Sequence, residues 1–164
     1  MPNPKIIVLV GSKSDMPFAY RIEDFLKKED FNAKCEYKVN SAHRNPEKLL
    51  RDLKNYEKSA DNIVYITVAG LSDALSGVVA GYTTKPVIAC PPDLQTYGWI
   101  KVFSSIAAPK GVAVALVSEP ENAALTAIKI LAISNSTLKK AVEKYRAKMR
   151  EAVEKSDAEL EKRL

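Results

Sequence analysis

With two cysteines and a single histidine in 164 residues, the chain is poor in the side chains from which zinc sites and disulfide frameworks are built. Cys35 and Cys90 form no CxxC pair, and each falls in an apolar run expected to be a buried strand. Neither a structural zinc site nor a disulfide is therefore expected to organise the fold. A long apolar run is also lacking. Only Lys5 precedes the stretch Ile6 to Val10, which is too short for a signal h-region or a membrane span. The expected location is the cytoplasm, with no membrane partner. Charge of one sign is not segregated either. The net charge is +5, but much of the basic excess lies in Lys139 to Arg163, interleaved with Glu143, Glu151, Glu154, Asp157, Glu159 and Glu161. That interleaving describes a solvated helix face and argues against nucleic acid as a partner. The remaining basic character suits a phosphorylated small molecule.

What is present is the composition of a soluble globular protein, with 27% charged residues and no internal repeat or low-complexity segment. A single domain over residues 1–164 is expected, large enough to bury roughly 70% of its unfolded surface. Strand-like runs rich in Val and Ile occur at Lys5 to Val10, Ala33 to Val39, Asn62 to Val68, Pro86 to Cys90 and Val112 to Val117. Helical stretches lie between them, at Met16 to Glu29, Glu47 to Glu57, Ser72 to Tyr82, Tyr97 to Ala107 and Pro120 to Ile133. Alternation of this kind predicts a three-layer αβα fold of the flavodoxin/Rossmann-like type, with a parallel sheet of about five buried strands and right-handed crossovers. A further amphipathic segment, Thr137 to about Ala152, reads as a long C-terminal helix that trails into a charged tail, helix and tail together taking up about 137–164. Its stripe of Leu138, Val142, Tyr145 and Met149 wants a partner surface, either this subunit's own core or a neighbour's.

In an open parallel sheet the ligand binds beyond the carboxyl ends of the strands. The first strand ends in Gly11-Ser12-Lys13-Ser14-Asp15 and runs straight into a helix, so backbone amides, hydroxyls and the helix dipole converge on a potential anion site. The same residues also describe a plain capped turn, and Asp15 suits either a cap or a ribose hydroxyl. The second strand ends in Asn40-Ser41-Ala42-His43-Arg44-Asn45-Pro46, placing a hydroxyl, the only histidine and a guanidinium together. Arg44 is fitted to bidentate phosphate binding and Ser41 adds a donor. The third strand runs into Ala69-Gly70-Leu71-Ser72-Asp73-Ala74-Leu75-Ser76-Gly77, whose small residues allow a backbone to approach a carboxylate or carbon dioxide. It also reads as a tight turn in which Gly70 relieves sterics and Ser72 caps the helix.

In their order and at these strand ends, GSKSD, NSAHRNP, AGLSDALSG and ACPPD resemble the phosphoribosylaminoimidazole carboxylase family of purine biosynthesis. The resemblance covers nearly the whole chain, extending through Tyr97-Gly98-Trp99, Ser104-Ser105, Pro109-Lys110-Gly111 and Glu119 to Ala124. The family has two classes on one fold. A mutase moves a carboxylate from the N5-carboxyamino ribonucleotide to C4, and a carboxylase adds carbon dioxide directly to aminoimidazole ribonucleotide. Mutases have a second histidine in the third loop. Here Ala74-Leu75-Ser76-Gly77 takes its place, similar to the direct carboxylases, and Lys38 stands where that class is often basic. Leu71, Asp73 and Ala107 depart from the carboxylase pattern, and Arg44 is more familiar from mutases.

The resemblance implies a reversible carboxylation of aminoimidazole ribonucleotide at C4, independent of metal and ATP, with carbon dioxide as co-substrate and no organic cofactor. It implies His43 as the catalytic proton-transfer residue, since an imidazole exchanges a proton near neutral pH. Gly11, Ser12, Ser14, Asp15, Ser41 and Arg44 are carried over for the ribonucleotide. Gly70, Ser72 and Asp73 are carried over for the carboxylate pocket, with Lys38 as a possible counter-charge for Asp73. A homo-octamer is also implied. The alternatives are the mutase on the same fold and, from another class, a non-catalytic nucleotide-binding module.

Overall fold

A computed structural model describes residues 3–162. Five parallel strands form one sheet in the order β2-β1-β3-β4-β5. They are β1 (Pro4–Val10), β2 (Lys34–Val39), β3 (Asn62–Val68), β4 (Val87–Ala89) and β5 (Ala115–Leu116). Six α-helices accompany them: α1 (Met16–Lys28), α2 (Pro46–Glu57), α3 (Ala74–Tyr82), α4 (Leu94–Ile106), α5 (Pro120–Leu131) and α6 (Ser136–Glu161). The three-layer parallel α/β architecture is thus the expected one.

Side-chain alternation along the central strands builds the two halves of the core. On β1, Ile6, Val8 and Val10 face one side and Ile7 and Leu9 the other, all of them fully buried. The first face packs against Ala19, Ile22 and Phe25 of α1 and Ala124, Ala127 and Ile128 of α5. The second packs against Leu49 and Leu53 of α2 and Leu75 and Val79 of α3. Each such aliphatic side chain contributes about 1.5–3 kcal/mol through removal from water.

Several boundaries differ from expectation for identifiable reasons. The run Pro86 to Cys90 keeps only Val87–Ala89 as strand, because Pro86 has no N–H to offer and Pro91-Pro92 end the ladder. Beside so short a strand, Val112 to Val117 shrinks to Ala115–Leu116. The expectation of five buried strands fails at both sheet edges, β2 and β5, neither of which has a buried residue, and Cys35 on β2 is only partly covered. Both cysteines are free; burial pushes the Cys35 thiol up to about 11 and the Cys90 thiol to about 12. Helix α4 begins at Leu94, three residues ahead of the expected Tyr97, and is broken inside at Gly98 (φ 53°, ψ −133°). Helix α6 runs on to Glu161, past the expected end near Ala152. No Pro or Gly interrupts Thr137 to Glu161, so nothing in the backbone chemistry stops the helix.

Candidate active site

The strand order reverses direction at β1, with β2 on one side and β3 on the other, so the loops leaving β1, β2 and β3 converge beside this switch point. They enclose a cavity of about 530 Å³. It is lined by Gly11, Ser12, Ser14 and Asp15 from the first loop, Ser41, His43 and Arg44 from the second, and Gly70 and Ser72 from the third. Residues separated by up to about sixty positions are thereby brought to one sheet edge.

The first loop continues the sheet before it turns, since the Gly11 amide donates to the Val68 carbonyl at 2.8 Å. A side chain at Gly11 would put its Cβ 3.4 Å from that of Ala69, so this glycine lets the first and third loops approach. A short 3-10 turn, Lys13–Asp15, leads into α1; the Ser12 Oγ caps it by accepting from the Ser14 amide. Asp15 occupies the N-cap position of α1 without making a side-chain cap bond. Burial pushes its carboxyl above the ordinary range and the nearby Asp93 adds to this, against the hydrogen bonds from Ser12 and Ser14 and the charge of Lys101.

The second loop is anchored at its root and tied across at its tip. Buried Asn40 donates its side-chain amide to Asp52 at 3.2 Å, and Lys48 Nζ reaches the Val39 carbonyl, Asn40 Oδ1 and Asp52 within 2.8–3.0 Å. Burial works against the Asp52 carboxylate, but the bonds from Lys48 and Asn40 outweigh it and hold the carboxyl below its usual range. At the tip, Arg44 Nη2 donates to the Gly11 carbonyl at 3.1 Å and Nε to Ser41 Oγ at 3.3 Å. His43 stands exposed between these anchors, on the rim of the cavity.

Two expected site residues lie elsewhere. Asp73 is buried as the N-cap of α3, accepting from the Ser76 amide at 3.1 Å, Ser76 Oγ at 2.6 Å and Ser105 Oγ at 2.8 Å. It is absent from the cavity lining, because this helix start claims its carboxylate. The cap is accordingly Asp73, where Ser72 had been expected. Lys38 is exposed on the edge strand with its nearest acid, Glu36, at 4.0 Å, and it is paired with neither Asp73 nor the cavity. A negative charge on Asp73 is answered by hydroxyls and an amide, with no lysine involved.

Lys101, which the sequence did not single out, and Asp93 of the ACPPD string complete the third loop from behind. Lys101 of α4 is buried, with Nζ 2.6 Å from both the Ala69 and Leu71 carbonyls and 3.7 Å from Asp93. Asp93 Oδ2 accepts from the Leu71 amide at 2.6 Å. Leu71 is held at φ 57°, a left-handed conformation unusual for a branched side chain. A signal for Lys101 does exist in the sequence. It shares a helix face with Ser104 and Ser105, whereas the bulky Trp99, Ile100, Phe103 and Ile106 fall on the others, the reverse of an ordinary surface helix.

Fold and cavity together define a doubly wound parallel α/β protein with a cavity at the carboxyl edge of the sheet, on the switch-point loops where folds of this class bind ligands. Residues 5–152 match the family model described as AIR carboxylase, and the chain belongs to that family. A phosphoribosylaminoimidazole carboxylase of Archaeoglobus fulgidus is 42% identical over 156 residues, covering 95% of this chain and 84% of that protein. An N5-carboxyaminoimidazole ribonucleotide mutase of Methanocaldococcus jannaschii is 42% identical over 154 residues, covering 93% and 94%. The crystal structure of Treponema denticola PurE superposes with a TM-score of 0.91 at 35% identity, covering 96% of this chain and 99% of that one. The chain is thus an enzyme of the AIR carboxylase family. Among the described residues no helix is long and apolar enough to cross a membrane.

Proposed function

We propose that the protein carboxylates 5-aminoimidazole ribonucleotide at C4 with carbon dioxide, reversibly, as a cytoplasmic step of purine biosynthesis. The observation that carries this reading is the position of His43, exposed on the rim of a cavity that also holds the Ser12–Ser14–Asp15 loop, Arg44 and the Gly70–Ser72 backbone. The serines and Arg44 offer donors to a phosphate, Asp15 an acceptor to ribose hydroxyls, and the third loop a backbone approach to a small carboxylate. In the reaction the amino group feeds electron density through the ring, C4 attacks carbon dioxide, and a C–C bond forms at a carbon still bearing hydrogen. His43 removes that proton, the C4–H electron pair restores the aromatic ring, and the imidazolium returns its proton to water. The reverse step protonates C4 and releases carbon dioxide. Carbon dioxide is the only co-substrate the scheme draws on; it uses no metal, no ATP and no organic cofactor.

The same reading includes a homo-octamer. Its support is the outward apolar face of α4, where Ile100, Phe103 and Trp99 are 80%, 69% and 85% exposed and the first two line a groove with Leu71 of the third loop.

Two assays test the activity: aminoimidazole ribonucleotide with and without bicarbonate, and the N5-carboxyamino ribonucleotide under carbon dioxide-free conditions. Bicarbonate-dependent formation of the C4-carboxylated product from the first substrate is expected. Consumption of the second substrate alone would make the chain a mutase, and turnover of neither would leave a nucleotide-binding module.

A further inference from the structure

Lysine is among the residues least often fully buried, and a buried ammonium needs partners on every N–H. Lys101 is 1% exposed and gives two of its three donors to the carbonyls of Ala69 and Leu71, both at 2.6 Å, with Asp93 Oδ1 at 3.7 Å from the same nitrogen. Asp93 Oδ1 is itself buried and has no hydrogen-bond partner, so its interaction with Lys101 is one of charge alone. These groups lie behind the third loop: the cavity is lined by Ala69, Gly70, Leu71 and Ser72, but by neither Lys101 nor Asp93. In a trans peptide the C=O and the following N–H point in opposite directions. Turning the Ala69 and Leu71 carbonyls towards α4 therefore turns the Gly70 and Ser72 amides away from it, towards the cavity side.

We infer that Lys101, with Asp93 as counter-charge, is a positioning residue that clamps the third loop from behind and presents the Gly70 and Ser72 amides to the carboxylate of the carboxylated nucleotide. The inference rests on the carboxylation proposed above and assigns that site a residue outside its lining. The clamp also accounts for the backbone of Leu71. A left-handed Leu costs about 1–2 kcal/mol, and here its two peptides are each fixed by a bond, its own amide to Asp93 and its carbonyl to Lys101, while a second bond from Lys101 holds the Ala69 carbonyl just before them. Charge points the same way. A Cβ on Gly70 would lie 3.3 Å from Asp93 Oδ2 and 3.7 Å from Asp15 Oδ1, so two carboxyls stand close to the loop that would receive a further carboxylate. Lys101 supplies a fixed positive charge beneath them, in a setting where solvent screens little.

The test compares the wild type with Lys101→Met, which keeps the length of the side chain and removes its charge. Titrations with aminoimidazole ribonucleotide and with its C4-carboxylated product separate positioning from a general loss of structure. Lys101→Met is expected to bind the carboxylated nucleotide about tenfold or more weakly, the scale of a lost hydrogen bond to a charged group. Its affinity for the uncarboxylated nucleotide should change less than about threefold, and kcat should fall with KM for that nucleotide nearly unchanged. Equal weakening of both nucleotides, or of neither, overturns the inference. Wild-type protein supplies a second measurement should the variant not fold: the amide proton resonances of Gly70 and Ser72 should move downfield with the carboxylated nucleotide and stay in place with the other. Unmoved amides in a complex that still forms refute the positioning role and leave the carboxylation standing. A wild type that binds and converts neither nucleotide removes both.

Discussion

Among the described residues no hydrogen bond holds the His43 side chain, whereas other residues of the same loop are firmly anchored. Arg44 is bonded to Ser41 and Gly11, and Asn40 is buried in a network with Lys48 and Asp52, so the backbone on either side of the imidazole is fixed while the ring reaches solvent. A group arranged like this can exchange protons with water between turnovers. Replacing His43→Asn is expected to lower kcat by about 10²–10⁴-fold, the usual worth of a general acid–base group. Nucleotide affinity measured by titration should stay within about threefold. A variant that still turns over at a tenth of the wild-type rate would remove His43 from the chemistry. Asp15 makes the opposite case, a residue whose ionised form the fold disfavours. Its folded-state carboxyl is raised above the ordinary value by burial and by Asp93, so the native state holds this proton more tightly than the unfolded chain does. The native state is therefore penalised as pH rises through the folded value, and the penalty disappears below about pH 3, where both states are protonated. Asp15→Asn should raise Tm at pH 7, lose that gain near pH 3, and bind the ribonucleotide more weakly. Thermal melts at the two pH values check it, and a lowered Tm at pH 7 would contradict the burial argument.

Among the elements, α3 and the loop before it show how one residue type serves two purposes. Gly77 lies within α3 and an added Cβ would meet nothing within 4 Å, whereas a Cβ at Gly70 would press on Asp93 at 3.3 Å and on the Leu71–Asp93 bond behind it. Gly77→Ala should stabilise by about 0.5–1 kcal/mol through helix propensity. Gly70→Ala should destabilise by about 1–2 kcal/mol through the strained hydrogen bond and should also lose activity. Denaturant melts of the pair decide the point, and equal signs for the two substitutions would refute it. The same region shows what the sequence could convey. Strand–helix alternation and the three loops were legible because β1 carries an uninterrupted aliphatic run, β3 a run of Ile, Val, Tyr and Thr that favours strand, and each loop carries Gly, Ser or Asn next to a helix start. The sequence did not convey where Asp73 sits, because two neighbouring capping residues, Ser72 and Asp73, compete for one N-cap, and a shift of one residue turns a side chain from the cavity into the protein. Nor did the charge of Lys38 say which edge of the sheet it occupies. Lys101 passed unnoticed because a lysine on a helix is ordinarily a surface residue; only the packing of α4 reverses that.

For the molecule as a whole, the coverage of the sheet is uneven. One face is sealed by α1, α5 and the first half of α6, where Leu138, Val142 and Tyr145 pack on the subunit's own core and Tyr145 meets Phe25 and Phe31 edge-on or tilted. The stripe expected on that helix is thus satisfied internally as far as Tyr145, with Met149 47% exposed beyond it. On the other face, α4 buries Lys101 and Ser105 and turns Ile100, Phe103 and Ile106 outwards. An isolated chain would keep its charged and polar residues inside this helix and its large apolar ones in water, a pattern that burial against further copies of the chain reverses. Because Leu71 and Ser72 share the groove with Ile100 and Phe103, assembly on this face would also close over the back of the site loop. Phe103→Asp places a charge in that contact while touching none of the buried core, so the chain should keep its circular dichroism spectrum. In sedimentation velocity it should run as smaller species than the wild type, with kcat/KM reduced as the loop loses its cover. A wild type that sediments as a monomer, or a variant that assembles unchanged, would show that the apolar face of α4 has some other purpose.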